Sequence, residues 1–358
     1  MVDNPYNPPF GAVPTYYVTN GWVSEQFLAS LNTLTDKWRE TIVTGIRGSG
    51  KTTVISDVIE KSSDRNDTIV ISVNADTSDV LEEIVAGMQR KIPRSPKIKS
   101  LGIKLPSIFD LNYEFPKKSS SFRYDIEDML VFANTQKINI IIAIDEVQKH
   151  SEALRDYVAA YQQWKMQKLP VATLMAGLPS AINDMLNDDV LTFFKRANQV
   201  HIGALNEQDI LINYQQVFGD RIDFRLINDM AEHTFNYAFL FQLIGFNIWL
   251  MNKEKYIQYD IDTAIEVSKS RLFKEVYKPM MTDLSKNDQL VIKSSVAAIE
   301  DHMIVYARLK ELAGMTDNSI STYRIRLINA EIFSVAGHGL LKYKQPYFRE
   351  FLEKYYMN

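Results

Sequence analysis

The chain has 358 residues, 46% of them hydrophobic, more than one ordinary core organises, so two or three domains are expected. Lys plus Arg number 40 against 44 Asp plus Glu, a formal net charge of −4, which excludes a strongly basic coat for nucleic acid but leaves room for a local basic face. There is no cysteine, so disulfides, thiolate zinc sites and cysteine nucleophiles are excluded together.

The opening segment to Asn20 is rich in Pro, Asn and Tyr and reads as extended. It shows no basic start followed by an apolar run. A helix is expected from Ser24, where Phe27, Leu28, Leu31 and Leu34 recur at helical spacing. Residues 41–44 read as a short β-branched strand, 45–50 as a turn and 51–61 as a helix. A buried strand is expected over 68–73. Ser78 fits a helix N-cap, with Val80, Leu81, Ile84, Val85 and Met88 on one face of the helix that follows. Residues 93–120 break the rhythm, and 98–105 and 108–115 fit a paired hairpin within a basic insert over 91–123. Helix resumes near Phe122. Residues 138–144 are apolar except for Asn139, as a central parallel strand requires. A helix over 147–168, a strand over 171–176 and a last strand over 200–203 follow.

This alternation predicts an α/β fold with a parallel sheet covered on both faces. After Leu205 the strand signal stops: 206–254 read as helical, 261–277 as a bridging helix and 286–358 as a compact unit. The most apolar stretch, 237–251, is shorter than the roughly 20 residues that cross a bilayer. The expectation is a soluble cytoplasmic protein with no membrane partner.

Gly45-Ile46-Arg47-Gly48-Ser49-Gly50-Lys51-Thr52 matches G-x-x-x-x-G-K-[ST] between an apolar strand and a helix. At average residue frequencies the fixed positions coincide in roughly one chain of this length per hundred. Glycines let the backbone turn its N–H groups onto phosphate oxygens, and the helix that follows adds its positive dipole end. Lys51 is expected on the β and γ phosphates of ATP, or on the β phosphate of ADP, with Thr52 on Mg2+ and Thr53 beside them. The second motif is Ile140-Ile141-Ile142-Ala143-Ile144-Asp145-Glu146, where two carboxylates end an apolar strand at the edge at which open α/β sheets bind ligands. Asp145 is the candidate magnesium ligand and Glu146 the candidate base for the attacking water. His150 and His201 have no metal-ligand spacing around them, so no metal beyond magnesium is expected.

Together these motifs and the helical segment after 205 resemble AAA+ P-loop ATPases, and within them the origin-recognition-like and bacterial or archaeal ATP-binding branch. The opening Asn4-Pro5-Tyr6-Asn7-Pro8-Pro9-Phe10-Gly11-Ala12-Val13-Pro14 and the element Met175-Ala176-Gly177-Leu178-Pro179 are similar to that branch. The resemblance implies an N-terminal segment and helix on the nucleotide site (1–40), a P-loop AAA+ core (41–205), a helical lid (206–284) and a winged helix (285–358). It also implies Tyr16, Tyr17 and Val18 beside the adenine, and Arg196 as an arginine finger reaching the next subunit of a homo-oligomer. Three departures stand out. Thr19-Asn20 replace the expected Gly-Arg. Ala176-Gly177 stand where a polar sensor is usual. Phe235-Asn236-Tyr237-Ala238-Phe239 offers no sensor arginine. Slow or partner-dependent hydrolysis is therefore expected.

In the tail, 304–313, 314–317 and 319–329 read as helix, turn, helix, and 332–335 with 340–343 as a wing hairpin. Ile320, Tyr323, Leu327 and Ile328 form the expected buried face, leaving Thr322, Arg324 and Arg326 outward, with His338 and Lys342 on the wing as further candidates for double-stranded DNA. From Lys286 onward ten Lys plus Arg stand against eight Asp plus Glu, an excess of only +2, so a protein partner is an open alternative.

Overall fold

A computed structural model describes residues 4–8, 21–75, 79–92, 119–148, 151–187 and 192–357. They divide into two compact units: those within 21–45 and 51–202, and those within 4–8, 46–50 and 203–357.

The first unit is built on strands β1 (Glu40–Thr44), β2 (Thr68–Asn74), β3 (Asn139–Val147), β4 (Val171–Gly177) and β5 (Asn198–His201). They pair in parallel in the order β2-β3-β4-β1-β5. Helices α1 (Gly21–Ser30), α2 (Lys51–Ser63), α3 (Val80–Lys91), α4 (Ser119–Thr135), α5 (Glu152–Met166) and α6 (Pro179–Asn187) accompany them. The period of two along β3 sorts its side chains between two cores. Ile140, Ile142 and Ile144 pack with α3, α4 and α5, while Ile141 and Ala143 pack with α1 and α2. A strand buried on both faces reads as an unbroken apolar run, which is why β3 was legible.

Local capping moved several boundaries. The helix expected over 147–168 starts at Glu152, because the Ser151 hydroxyl accepts the Leu154 N–H and β3 runs on through Asp145 and Glu146 to Val147. The cap of α3 is Asp79, whose carboxylate accepts the Glu82 N–H at 3.0 Å; Ser78 lies outside the described residues. So do the expected insert hairpin and Tyr16, Tyr17, Val18 and His150. Helix α1 ends at Ser30, leaving Leu31 buried beyond it and Leu34 exposed.

In the second unit, α7 (Glu207–Phe218), α8 (Phe224–Glu232), α9 (Ala238–Met251) and α10 (Gln258–Leu272) surround one core. Tyr6 from the N-terminal segment is buried in it, with its hydroxyl on Asn213 Oδ1 at 3.0 Å. A π turn (Phe273–Tyr277) and α11 (Lys278–Thr282) lead to α12 (Lys286–Ala297). Then come β6 (Ile299–Glu300), β7 (Met303–Val305), α13 (Tyr306–Ala313), α14 (Asp317–Asn329), β8 (Phe333–Gly337), β9 (Leu340–Tyr343) and α15 (Phe348–Tyr356). The four short strands form an antiparallel sheet in the order β6-β7-β9-β8. The helix, turn, helix and hairpin expected of the tail are all present, and α14 buries Ile320 and Leu327 as its spacing requires. Helix α9 serves two cores. Phe241, Ile244 and Ile248 face the first, while Phe239, Leu240 and Leu243 join Tyr277, Val291, Leu327 and Phe348 in the second. No helix among the described residues is long and apolar enough to cross a membrane.

Candidate active site

The strand ends set the frame. Thr44 at the end of β1 lies in register with Gly177 of β4, and Gly177 with Val147 of β3. The loop after β1 and the carboxylates of β3 thus leave the same edge of the sheet, the ligand-binding edge of an open parallel fold.

Gly48 and Gly50 have φ of 75° and 97°, the left-handed region that the loop needs and that other residues reach at a cost. The Ser49 N–H donates to the Ile46 carbonyl at 3.2 Å and closes the turn. Lys51 Nζ donates to the Gly45 carbonyl at 3.0 Å. Gly45 is buried, Arg47 exposed and Thr53 half-buried in the first turn of α2. Ser49 is 3% exposed, yet its Oγ has no hydrogen-bond partner. A buried hydroxyl left unsatisfied costs about 1–3 kcal/mol, which marks a place where a ligand can supply the partner.

Asp145 lies near the end of β3. Its Oδ2 accepts from Thr52 Oγ1 at 2.7 Å and its Oδ1 from the Glu146 N–H at 2.8 Å. Glu146 is exposed and has φ of 56°, and the β3–β4 register shifts between Ile144 and Val147. A bulge at a strand end re-aims side chains, and a left-handed non-glycine residue stores about 1–3 kcal/mol of strain. Glu146 is left exposed at the bulge while Asp145 stays on Thr52. A hydroxyl and a carboxylate side by side are oxygen donors suited to a hard divalent cation, and the positive-φ loop suits an anion. Among the described residues no cluster of three or more His, Asp or Glu side chains offers another metal site.

Gly177 is closed in: a Cβ there would lie 2.9 Å from Ile182 Cδ1 and 3.1 Å from Val147 Cβ. Thr173 belongs to the core, its hydroxyl donating to the Ile142 carbonyl at 3.2 Å and accepting from Tyr157 at 2.8 Å. Arg196 ends a short turn (Thr192–Arg196) before β5 and is exposed.

Sequence reasoning missed Tyr237. Its hydroxyl donates to the Arg47 carbonyl, and Phe239 lies against the same loop. Their numbering, about 190 residues from the loop, carries no signal of this.

On the C-terminal surface Thr322, His338 and Lys342 are exposed, and Arg324 lies 5.5 Å above the Tyr306 ring. Arg326 is exposed, as helical spacing expects, but it also carries an ion pair. It is held by Asp288 Oδ2 at 2.8 Å rather than left free for a ligand. Asp288 is 1% exposed, and a carboxylate so buried requires a cation. Arg308, Lys310, Lys344 and Arg349 are ion-paired as well, with Glu300, Asp317, Glu331 and Glu353.

Residues 39–186 match the family described as the AAA domain, and residues 274–352 match a domain of unknown function, DUF8462. No curated protein matches the chain. Among solved structures, a Walker-type ATPase of Pyrococcus abyssi is similar at 15% identity and a TM-score of 0.64, over 94% of this chain and 96% of that one. The ORC2 protein of Aeropyrum pernix, in its ADPNP–ADP complexes, is similar at 12% identity and a TM-score of 0.68, over 97% and 96%. At these identities the likeness is one of fold.

Proposed function

For a chain whose residues 39–186 match an AAA domain, in the P-loop fold shared with origin-recognition-like ATPases, we propose that it binds and hydrolyses ATP and acts as an ATP-dependent switch. The observation that carries this reading is the contact of Thr52 with Asp145 at 2.7 Å, which joins the two motifs at one edge of the sheet. The ADPNP and ADP of the A. pernix relative support the same ligand class here.

The residues fit the group. The unpartnered Ser49 hydroxyl and the left-handed Gly48 and Gly50 suit a phosphate chain, which Lys51 and the loop amides would hold. Thr52 and Asp145 would hold magnesium. The bound cation supplies neutralisation of charge on the phosphates. Glu146 orients the attacking water and takes its proton on the carboxylate. An exposed Arg196 would serve a neighbouring copy, so full activity would need an oligomer.

The output is the tail, read as a winged helix that presents Thr322, Arg324, His338 and Lys342 to duplex DNA when ATP is bound. A protein partner is the second reading, and two observations favour it. Ion pairing engages Arg308, Lys310, Arg326, Lys344 and Arg349 within the module, and Leu312, Ile325 and Val335 of the same module are exposed. Duplex binding in ATP, ADP and neither separates the two. The DNA reading expects nucleotide-dependent affinity that falls steeply with salt, and the protein reading expects weak binding in all three. The nucleotide claim itself is tested by ATP uptake. Wild-type protein binds and Lys51→Ala does not; equal uptake by both overturns it.

A further inference from the structure

The connection between α8 and α9 is strained. Phe235 and Asn236 both take positive φ, 50° and 57°. Consecutive left-handed residues without glycine persist only where the surroundings impose them. Here the Thr234 hydroxyl accepts the Asn236 N–H at 3.0 Å and donates to the Ala231 carbonyl at 2.6 Å, while the Leu205 N–H donates to the Asn236 carbonyl at 2.7 Å. The turn delivers Tyr237 to the start of α9. Its ring is 6% exposed and its hydroxyl donates to the carbonyl of Arg47. Burial raises the phenol's pKa, so it stays a neutral donor across the working range.

A trans peptide is a rigid plane whose carbonyl and N–H point to opposite edges. Fixing the Arg47 carbonyl on Tyr237 therefore turns the Gly48 N–H to the other side of the loop. The fit is close: a Cβ at Gly48 would lie 2.6 Å from Tyr237 Oη and 2.9 Å from Phe239 Cβ, so the loop backbone and the tyrosine occupy matched surfaces. Loops of this kind bind anions through their N–H groups, so the direction of this peptide decides whether the Gly48 N–H is available to a phosphate.

We propose that Tyr237 is a positioning residue for the phosphate loop: its hydroxyl holds the Arg47–Gly48 peptide so that the Gly48 N–H meets the phosphate chain of ATP. The inference rests on the nucleotide reading above. The segment Phe235–Phe239 has no arginine to place on a phosphate, and the tyrosine acts instead on the backbone that binds it. Tyr237 also shares a core with Tyr277, Val291 and Phe348, so the group that sets the loop is packed with the C-terminal helices.

The test is Tyr237→Phe, which removes the hydroxyl and keeps the ring. Affinity for Mg-ATP and Mg-ADP is measured beside wild type, together with kcat, KM and the Gly48 amide resonance in a 15N-labelled sample. Affinity for both nucleotides is expected to fall about tenfold, the order that follows from leaving a carbonyl unpaired. KM rises far more than kcat falls, and the Gly48 resonance moves in the ligand-free variant. A folded Tyr237→Phe with wild-type affinity and an unmoved Gly48 amide overturns the proposal, as does lost thermal stability without lost affinity. Should the variant not fold, amide exchange on wild type decides: ATP must slow exchange at Gly48, and equal exchange with and without ATP overturns the role. Wild-type protein that takes up no ATP instead overturns the nucleotide reading, and this proposal with it.

Discussion

Thr52 Oγ1 donates to Asp145 Oδ2 at 2.7 Å across 93 residues of sequence, bringing the first turn of α2 to the end of β3. That pair is where magnesium would be held. Asp145→Asn removes the charge and keeps the shape. ATP affinity measured with magnesium is expected to fall at least about tenfold, while affinity in chelator changes little. An equal drop in both conditions would tie Asp145 to folding instead of to the cation.

Glu146 stores backbone strain, with φ of 56° inside the bulge. Glu146→Gly relieves that strain, so the variant is expected to be more stable by about 1 kcal/mol in chemical denaturation, even as it loses turnover. Loss of stability on this change would show that the carboxylate, not the backbone, decides the local geometry.

Arg326 and Asp288 test what the tail's charge does. Arg326→Ala leaves a carboxylate that is 1% exposed without its cation, and a loss of about 1–3 kcal/mol is expected, tempered because Arg326 itself is half exposed. Thr322→Ala and Lys342→Ala, at exposed positions, are expected to cost under about 0.5 kcal/mol. If Arg326→Ala melts like wild type, its pairing with Asp288 is incidental and the side chain is free for a partner.

Buried phenols give the protein an alkaline limit. Burial raises the pKa of Tyr157, Tyr161, Tyr214, Tyr237 and Tyr277 above the ordinary value near 10. The folded state holds these protons more tightly than the unfolded chain does. Their contribution is fully present below about pH 10 and is lost as pH rises beyond it. Denaturant midpoints are therefore expected to fall steeply from about pH 10 upward; midpoints that stay level there would contradict the burial of these rings.

Much of the first unit was legible because its information is local. Five apolar, β-branched runs became five parallel strands, and the loop motif announced its own backbone. The same locality set the limits. Strand β3 runs past its carboxylates because a bulge, invisible in hydrophobic pattern, carries it to Val147. Arg326 read as outward by helical spacing, but the spacing could not reveal that Asp288, on another helix, is buried beneath it. Tyr6 read as part of an extended segment, and its burial among α7 and α9 comes from tertiary packing. Tyr237 was the largest omission. Its role depends on a turn of two left-handed residues and on a loop far away in sequence, and neither leaves a periodic trace.

The most direct measurement is single-turnover phosphate release from Mg-ATP by Glu146→Gln. With Glu146 as the base, the variant is expected to bind ATP like wild type and to release phosphate about 10²–10⁴-fold more slowly. Release at the wild-type rate would contradict that role, because the residue left exposed at the β3 bulge would then have no part in the reaction.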